Sequence, residues 1–272
     1  MNSTKTDVSV HGHQGDSMNN EEQRSKYWCV SVLSCLAIVL VWWIAAVALD
    51  APIILPTPAE VLRTTLGLFG SKAFLSNIGG TVLRALYSFV LIVLCGTISG
   101  ILAGRFVAFR RAIAPLVALF KATPVMSVIL LAFIWLGTSA VPVFSAFLMA
   151  FPVMFVQTMD AYSNINEKLG QMCMVYGIEG SRRLRYLIIP SIAPQILTGA
   201  RQTLSMIWKV VIAAEVIVLP KHGIGRSLQL AQIQLETSVV LAWTIVAVLI
   251  TALGDGVFDL FIGKVSGRRL SQ

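Results

Sequence analysis

Charge is what this chain has least of. Only 12% of its 272 residues are charged, against 56% hydrophobic, whereas a soluble domain carries about 25% charged residues. That deficit excludes a water-covered globule of this size. With a mean hydropathy of +0.79, an integral helical membrane protein is the default reading. Cysteine is scarce too. Cys29, Cys35, Cys95 and Cys173 form no CxxC pair, which excludes zinc-finger spacing and a disulfide framework. Three of them lie in apolar runs, where Cys acts as a small soft hydrophobe. His222 is the only histidine beyond the N-terminal segment, and a lone loop histidine reads as a turn residue. No P-loop, dinucleotide fingerprint, HExxH or GxSxG motif occurs. No catalytic residue, metal or cofactor is therefore expected on this chain, and it should not hydrolyse nucleotide itself. Lys and Arg outnumber Asp and Glu by 21 to 13. They are scattered between apolar runs rather than gathered in one patch, which argues against nucleic acid and for basic cytoplasmic loops.

What is present is a series of apolar runs. Residues 1–25 are rich in Ser, Asn, Gln and Gly and read as a disordered tail. No small-residue cleavage site closes the first apolar run, so no signal peptide is read. A transmembrane domain is expected over 26–265, with spans at about 28–49, 80–104, 112–136, 140–160, 187–218 and 237–262, and a tail at 266–272. The first run is uncharged from 28 to 49, long enough to cross about 30 Å of hydrocarbon. Tyr27, Trp28, Trp42 and Trp43 sit near its ends like aromatic belts. Pro56 and Pro58 predict an extended turn followed by a short amphipathic helix on the outer membrane surface. Gly96, Gly100 and Gly104 are spaced for close approach of another helix. Gly137 to Pro142 marks the turn between the third and fourth spans.

The fifth run is a poor lipid-facing helix, because Pro190, Pro194, Arg201, Lys209 and Glu215 fall inside it. The prolines predict a bend, and the charges predict a span facing the protein interior. Lys209 and Glu215, six residues apart, point to different faces and need separate partners. Either they line a polar translocation pathway or they make interhelical ion pairs. Trp208 reads as core packing or as pathway lining. Asp255 and Asp259 share a helix face, where they bind a cation, neutralise an interior arginine such as Arg201, or simply form a paired or solvated helix end. Basic residues fix the sidedness. Lys5, Arg24, Lys26, Arg105, Arg110, Arg111, Lys168, Arg182, Arg183, Arg185, Lys264, Arg268 and Arg269 fall on one side, against Arg63, Lys72, Lys221 and Arg226 on the other. The bias places both termini and the 161–186 loop in the cytoplasm.

Within that loop, residues 166–190 form the longest polar interruption after residue 78, with Glu167, Gly177, Gly180, Arg182, Arg183 and Arg185, ending at Pro190. The stretch resembles the EAA loop of binding-protein-dependent ABC transporter permeases. Gln171, Met172 and Cys173 occupy the Glu-Ala-Ala positions, Gly177 matches the glycine, and Leu187, Ile189 and Pro190 fit the closing Ile-x-Leu-Pro without a gap. Leu55-Pro56-Thr57-Pro58, Lys121-Ala122-Thr123-Pro124, Phe133 to Gly137, Phe151-Pro152, Ile207 to Glu215 and His222 to Gly225 resemble the subgroup serving nitrate, sulfonate and taurine importers. The likeness covers about 52–263.

That resemblance implies an all-α type I importer permease of about six spans in a bacterial or archaeal cytoplasmic membrane. It would carry a small solute such as nitrate, a sulfonate, taurine or a related organic molecule. An extracytoplasmic binding protein delivers the solute, a second permease copy completes the pathway, and separate ABC ATPase subunits bind ATP. The implied coupling residues are Glu167, Gln171, Met172, Cys173, Gly177, Arg182 and Pro190. Trp208, Lys209 and Glu215 are the pathway candidates. The competing reading is a secondary transporter or channel that works without an ATPase.

Overall fold

The computed structural model describes residues 13–270. Residues 1–12, and with them the first half of the expected disordered tail, lie outside that range, as do 271 and 272 of the C-terminal tail. From 13 to 25 the chain is helical rather than loose. Helix α1 (His13–Leu49) runs back from the apolar span through Glu21, Glu22, Gln23 and Arg24, residues that prolong a helix at little cost once a span has nucleated it. Only 6% of the apolar stretch Val32–Leu49 is buried, so α1 presents nearly its whole circumference outward. A soluble protein would not expose Leu33, Ile38 and Ile44 in this way, but lipid accepts them.

The amphipathic helix expected after Pro58 is present as α2 (Pro58–Leu68). Thr57 caps it, its hydroxyl oxygen accepting from the Glu60 N–H at 3.3 Å, and the buried Val61 and Thr65 form its inner side. α2 packs against α11 (Thr237–Leu270).

Three helices make the core: α3 (Lys72–Arg105), α6 (Val141–Ser163) and α9 (Ile189–Val218). The glycine spacing in α3 is used as expected. A methyl group at Gly96, Gly100 or Gly104 would lie 2.7, 2.6 or 2.7 Å from Met154, Thr158 or Tyr162. Those three are four apart on α6, so the two helices run parallel, one turn matched to one turn. α9 runs the other way: Ile192 clusters with Ala161 and Val218 with Val141. α11 is parallel to α3, because Phe74 meets Trp243 and Phe89 meets Phe258, with ring centroids 5.7 and 5.5 Å apart. These directions agree with α3, α6 and α11 as even-numbered spans and α9 as an odd one.

The expected third span, 112–136, is not one straight helix. α4 (Val107–Ala122) and α5 (Val125–Trp135) meet at 102°. Pro124 has no N–H to continue the ladder, and it holds Thr123 in an extended conformation with ψ 126°, as a residue before proline prefers. By contrast, α9 is not interrupted at its prolines. Pro190 follows directly on helical backbone, and the helix continues through Pro194. The irregularity lies just before it, in a π-helical turn at Leu184–Ile188.

Among the described residues, four helices are long and apolar enough to cross a membrane, or five if α4 and α5 count as one bent span. α9 is long enough but too charged to be counted with them. It compensates by burial: Ile207, Val211, Ala214 and Glu215 are wholly enclosed. The outermost elements at its C-terminal end are α10 (Ile224–Ile233) and the turn before it. At its N-terminal end lie α7 (Glu167–Val175) and α8 (Gly180–Arg183).

Candidate functional site

The polar residues of the bundle fall into three groups, two along α9 and one at its N-terminal end. The first surrounds Glu215, whose side chain is fully enclosed. An unpaired charge within a span costs about 2.5–3.5 kcal/mol on insertion scales, so a buried carboxylate needs donors. It has several. Arg84 of α3 forms an ion pair with Oε1. The Thr81 hydroxyl donates to Oε2 at 2.8 Å and the Gly225 N–H donates to it at 3.1 Å. Arg84 also donates to the His222 carbonyl at 2.6 Å. Thr81 accepts from the Ile224 N–H at 2.9 Å, and Asn77 accepts from the Gly223 N–H at 3.3 Å. A Cβ at Gly225 would stand 2.3 Å from the Ile212 carbonyl oxygen, so only glycine lets α10 start this close to α9. The network ties α3, α9 and the 219–225 turn into one unit. Of the two readings of Glu215, the interhelical ion pair is the one the geometry shows. Arg84, Thr81 and Asn77 were not singled out from sequence. Arg84 was the available signal, a basic residue just ahead of an uncharged run and needing an acidic partner.

The second group is a cleft of about 560 Å³ on the opposite flank of α9, lined by Arg201, Gln202, Ser205, Met206 and Lys209 with Asp255 of α11. Arg201 donates to Asp259 at 2.6 Å, so Asp259 is the counterion that sequence spacing had offered. Ser205 donates to Asp255 at 2.7 Å. Gln157 of α6 donates to the Gln202 side-chain oxygen at 3.3 Å. Lys209 is exposed and makes no ion pair among the described residues. Its neighbour Trp208 points inward and is 3% exposed. A Cβ at Gly254 would lie 2.8 Å from its ring, so Trp208 seats α11 on α9. Lys209 and Glu215 thus face apart, as their spacing required.

The third group is the 166–190 stretch. Asn166 caps α7 by accepting from the Lys168 N–H at 2.9 Å. The helix ends in a Schellman motif, with the Ile178 N–H donating to Cys173 O at 2.8 Å and the Gly177 N–H to Met174 O at 3.2 Å. That motif requires a left-handed residue, and Gly177 supplies it with φ +61°. Turn geometry alone is therefore sufficient reason for the glycine. The space around it is open. Gly170 and Cys173 face inward and are buried. Cys173, expected among the coupling residues, packs on the seated face with Gly170, three positions before it. Glu167, Gln171, Met172, Arg182 and Pro190 are exposed. So are Val175 and Tyr176, at 83% and 73%. They lie beyond the N-terminal end of α9.

Residues 92–267 match the family described as binding-protein-dependent transport system inner membrane component. The chain is 26% identical over 236 residues to the taurine transport system permease protein of Escherichia coli, covering 84% of this chain and 86% of that one. It is 30% identical over 224 residues to a protein of Brucella melitensis named as an ABC transporter permease, covering 81% and 87%. It is 24% identical over 253 residues to a protein of Bacillus subtilis named for aliphatic sulfonates transport, covering 92% and 91%.

Proposed function

The chain belongs to the family of binding-protein-dependent transport system inner membrane components, and we propose how it works within such a system. It is the multi-pass permease subunit of an ABC importer, in the subgroup of taurine, sulfonate and nitrate permeases. Two copies form the pathway, with both termini and the 166–190 stretch in the cytoplasm and α10 outside. A separate ATPase docks on α7, through Gln171, Met172, Val175 and Tyr176, with Glu167 and Arg182 at the rim. Nucleotide-driven movement of the ATPase pair shifts α7 as a rigid body and carries α6 and α9 with it. That switches access from one side to the other, a two-state change biased by ATP. An extracytoplasmic binding protein delivers the solute, a small sulfonate or related molecule by likeness to the relatives named above. The α9 face carrying Lys209 lines the pathway, with Trp208 and Glu215 supporting it from behind.

The observation that carries this reading is the exposed apolar surface of α7 at the polar end of the bundle. In water it has no reason to be apolar unless a protein covers it. The test is copurification with the ATPase and ATP-driven uptake in proteoliposomes. Val175→Asp combined with Tyr176→Asp should abolish both while leaving membrane insertion intact. Uptake by this chain alone, with no ATPase present, would establish the secondary-transporter reading instead.

A further inference from the structure

Charge of one sign collects where α3 gives way to α4. From Val61 to Met159 the chain contains no Asp or Glu, and this stretch includes Arg105, Arg110 and Arg111. Arg105 lies over the Phe106 ring, 5.1 Å from its centroid, and lines a cavity with Glu179. Arg110 and Arg111 do not line that cavity. Both are exposed, and neither makes an ion pair among the described residues. Below them α4 packs inward through Phe109, Ile113, Val117 and Phe120. Phe120 meets Phe151 of α6, with ring centroids 6.4 Å apart, so α4 runs back into the bundle from the end of α3. Asp160 follows Phe151 by two and a half turns, at about 3.6 residues per turn, and so lies on the opposite side of α6 from α4. The outer face of α4 reads differently along its length. Arg111, Pro115 and Leu119 recur every four residues and are all exposed, with the exposed Ala118 beside them. A cationic end thus continues into an apolar column about 12 Å long at 1.5 Å per residue.

We propose that this face of α4 holds an anionic phospholipid of the cytoplasmic leaflet. Its phosphate sits on Arg110 and Arg111, and an acyl chain lies along Pro115, Ala118 and Leu119. The assignment rests on the sidedness of the permease reading above and goes beyond it by naming a lipid partner. A guanidinium meets a phosphate with paired N–H donors. Basic residues at the cytoplasmic surface are also drawn to anionic lipid. An acidic protein surface matches the two arginines but not the exposed apolar column that follows them, whereas an amphiphile matches both.

The test uses the assembled importer complex in detergent, with lipid binding read by native mass spectrometry. Phosphatidylglycerol is expected to bind at least about fivefold more tightly than phosphatidylcholine. R110Q/R111Q should remove that preference, and R110K/R111K should keep part of it. Glycerol phosphate, a headgroup without chains, should not displace the lipid. Equal binding of the two lipids, a preference that survives R110Q/R111Q, or displacement by glycerol phosphate would overturn the proposal. So would release of the ATPase or of the second permease copy from the R110Q/R111Q complex, which would put a protein on this face. If R110Q/R111Q aggregates, Ala118→Trp blocks the acyl path with both arginines intact. It should weaken phosphatidylglycerol binding, and unchanged binding there would overturn the proposal. Sidedness is judged separately, by labelling Ala108→Cys with a membrane-impermeant maleimide from each side of the membrane. Its failure would leave the lipid preference in detergent measurable.

Discussion

Two stretches of one helix handle charge in opposite ways. Near its C-terminal end, α9 encloses Glu215 completely and surrounds it with Arg84, Thr81 and the Gly225 N–H. Six residues earlier it leaves Lys209 exposed in a cleft that Asp255 also lines, with no ion pair to Lys209 among the described residues. The first arrangement is satisfied internally and rigid, since every donor comes from a fixed element. The second leaves its ammonium on an open surface beside Asp255. The first holds the helices in register, and the second leaves a polar face uncovered.

The sharpest way to break the first arrangement is Gly225→Val. Its Cβ would meet the Ile212 carbonyl oxygen at 2.3 Å and the Glu215 Cβ at 2.6 Å. A loss of at least about 3 kcal/mol is expected, seen as aggregated rather than monodisperse protein after detergent extraction. Glu215→Gln comes next, at about 3 kcal/mol, because it strands the Arg84 guanidinium, whose side chain is only 13% exposed. In a thermal melt the double variant Arg84→Gln/Glu215→Gln should be more stable than the two single losses added together. Strict additivity would mean the pair is not coupled.

Gly100→Ala puts a methyl 2.6 Å from Thr158 and should cost about 2 kcal/mol by parting α3 from α6. Gly256→Ala, where nothing lies within 4 Å, should be neutral or slightly stabilising. Equal effects at the two sites would contradict the packing described. Gly177→Ala should cost about 1 kcal/mol, confined to the end of α7, because of the positive φ. Its signature is reduced ATP-driven uptake with an unchanged melting temperature of the bundle. Smallest is Arg201→Gln. Its ion pair is open, with side chains 56% and 40% exposed, so a stability change within about 0.5 kcal/mol is expected.

Much of the core was legible because its signals are local. The small residues Gly96, Gly100 and Gly104 recur every four positions, and a helix turns nearly once in that interval. They had to lie on one face, and the structure fills that face with Met154, Thr158 and Tyr162. Thr57-Pro58 likewise carries its own helix start. The break in the third span was missed although Pro124 was in view, since apolar length was read across it. Pro194 did not end the helix: α9 stays in one piece past the lost hydrogen bond and packs against α6. For the 166–190 stretch, the spacing of Gly177 and Pro190 was visible. The inward turn of Cys173 and the Schellman closure at Gly177 depended on how α7 sits against the bundle.

The sequence by itself determined that this is a membrane protein, roughly where its helices run, and that α9 could not face lipid. Those follow from apolar length, charge scarcity and period, which act over neighbouring residues. Only the tertiary structure decided which charges are paired. Arg84 and Glu215 are 131 positions apart, and whether they meet depends on the register and rotation of two antiparallel helices. The same rotation leaves Lys209 exposed beside Asp255, with no ion pair among the described residues. Local periodicity carries no information about that angle, so one charge became a buried clamp and the other stayed on an open face.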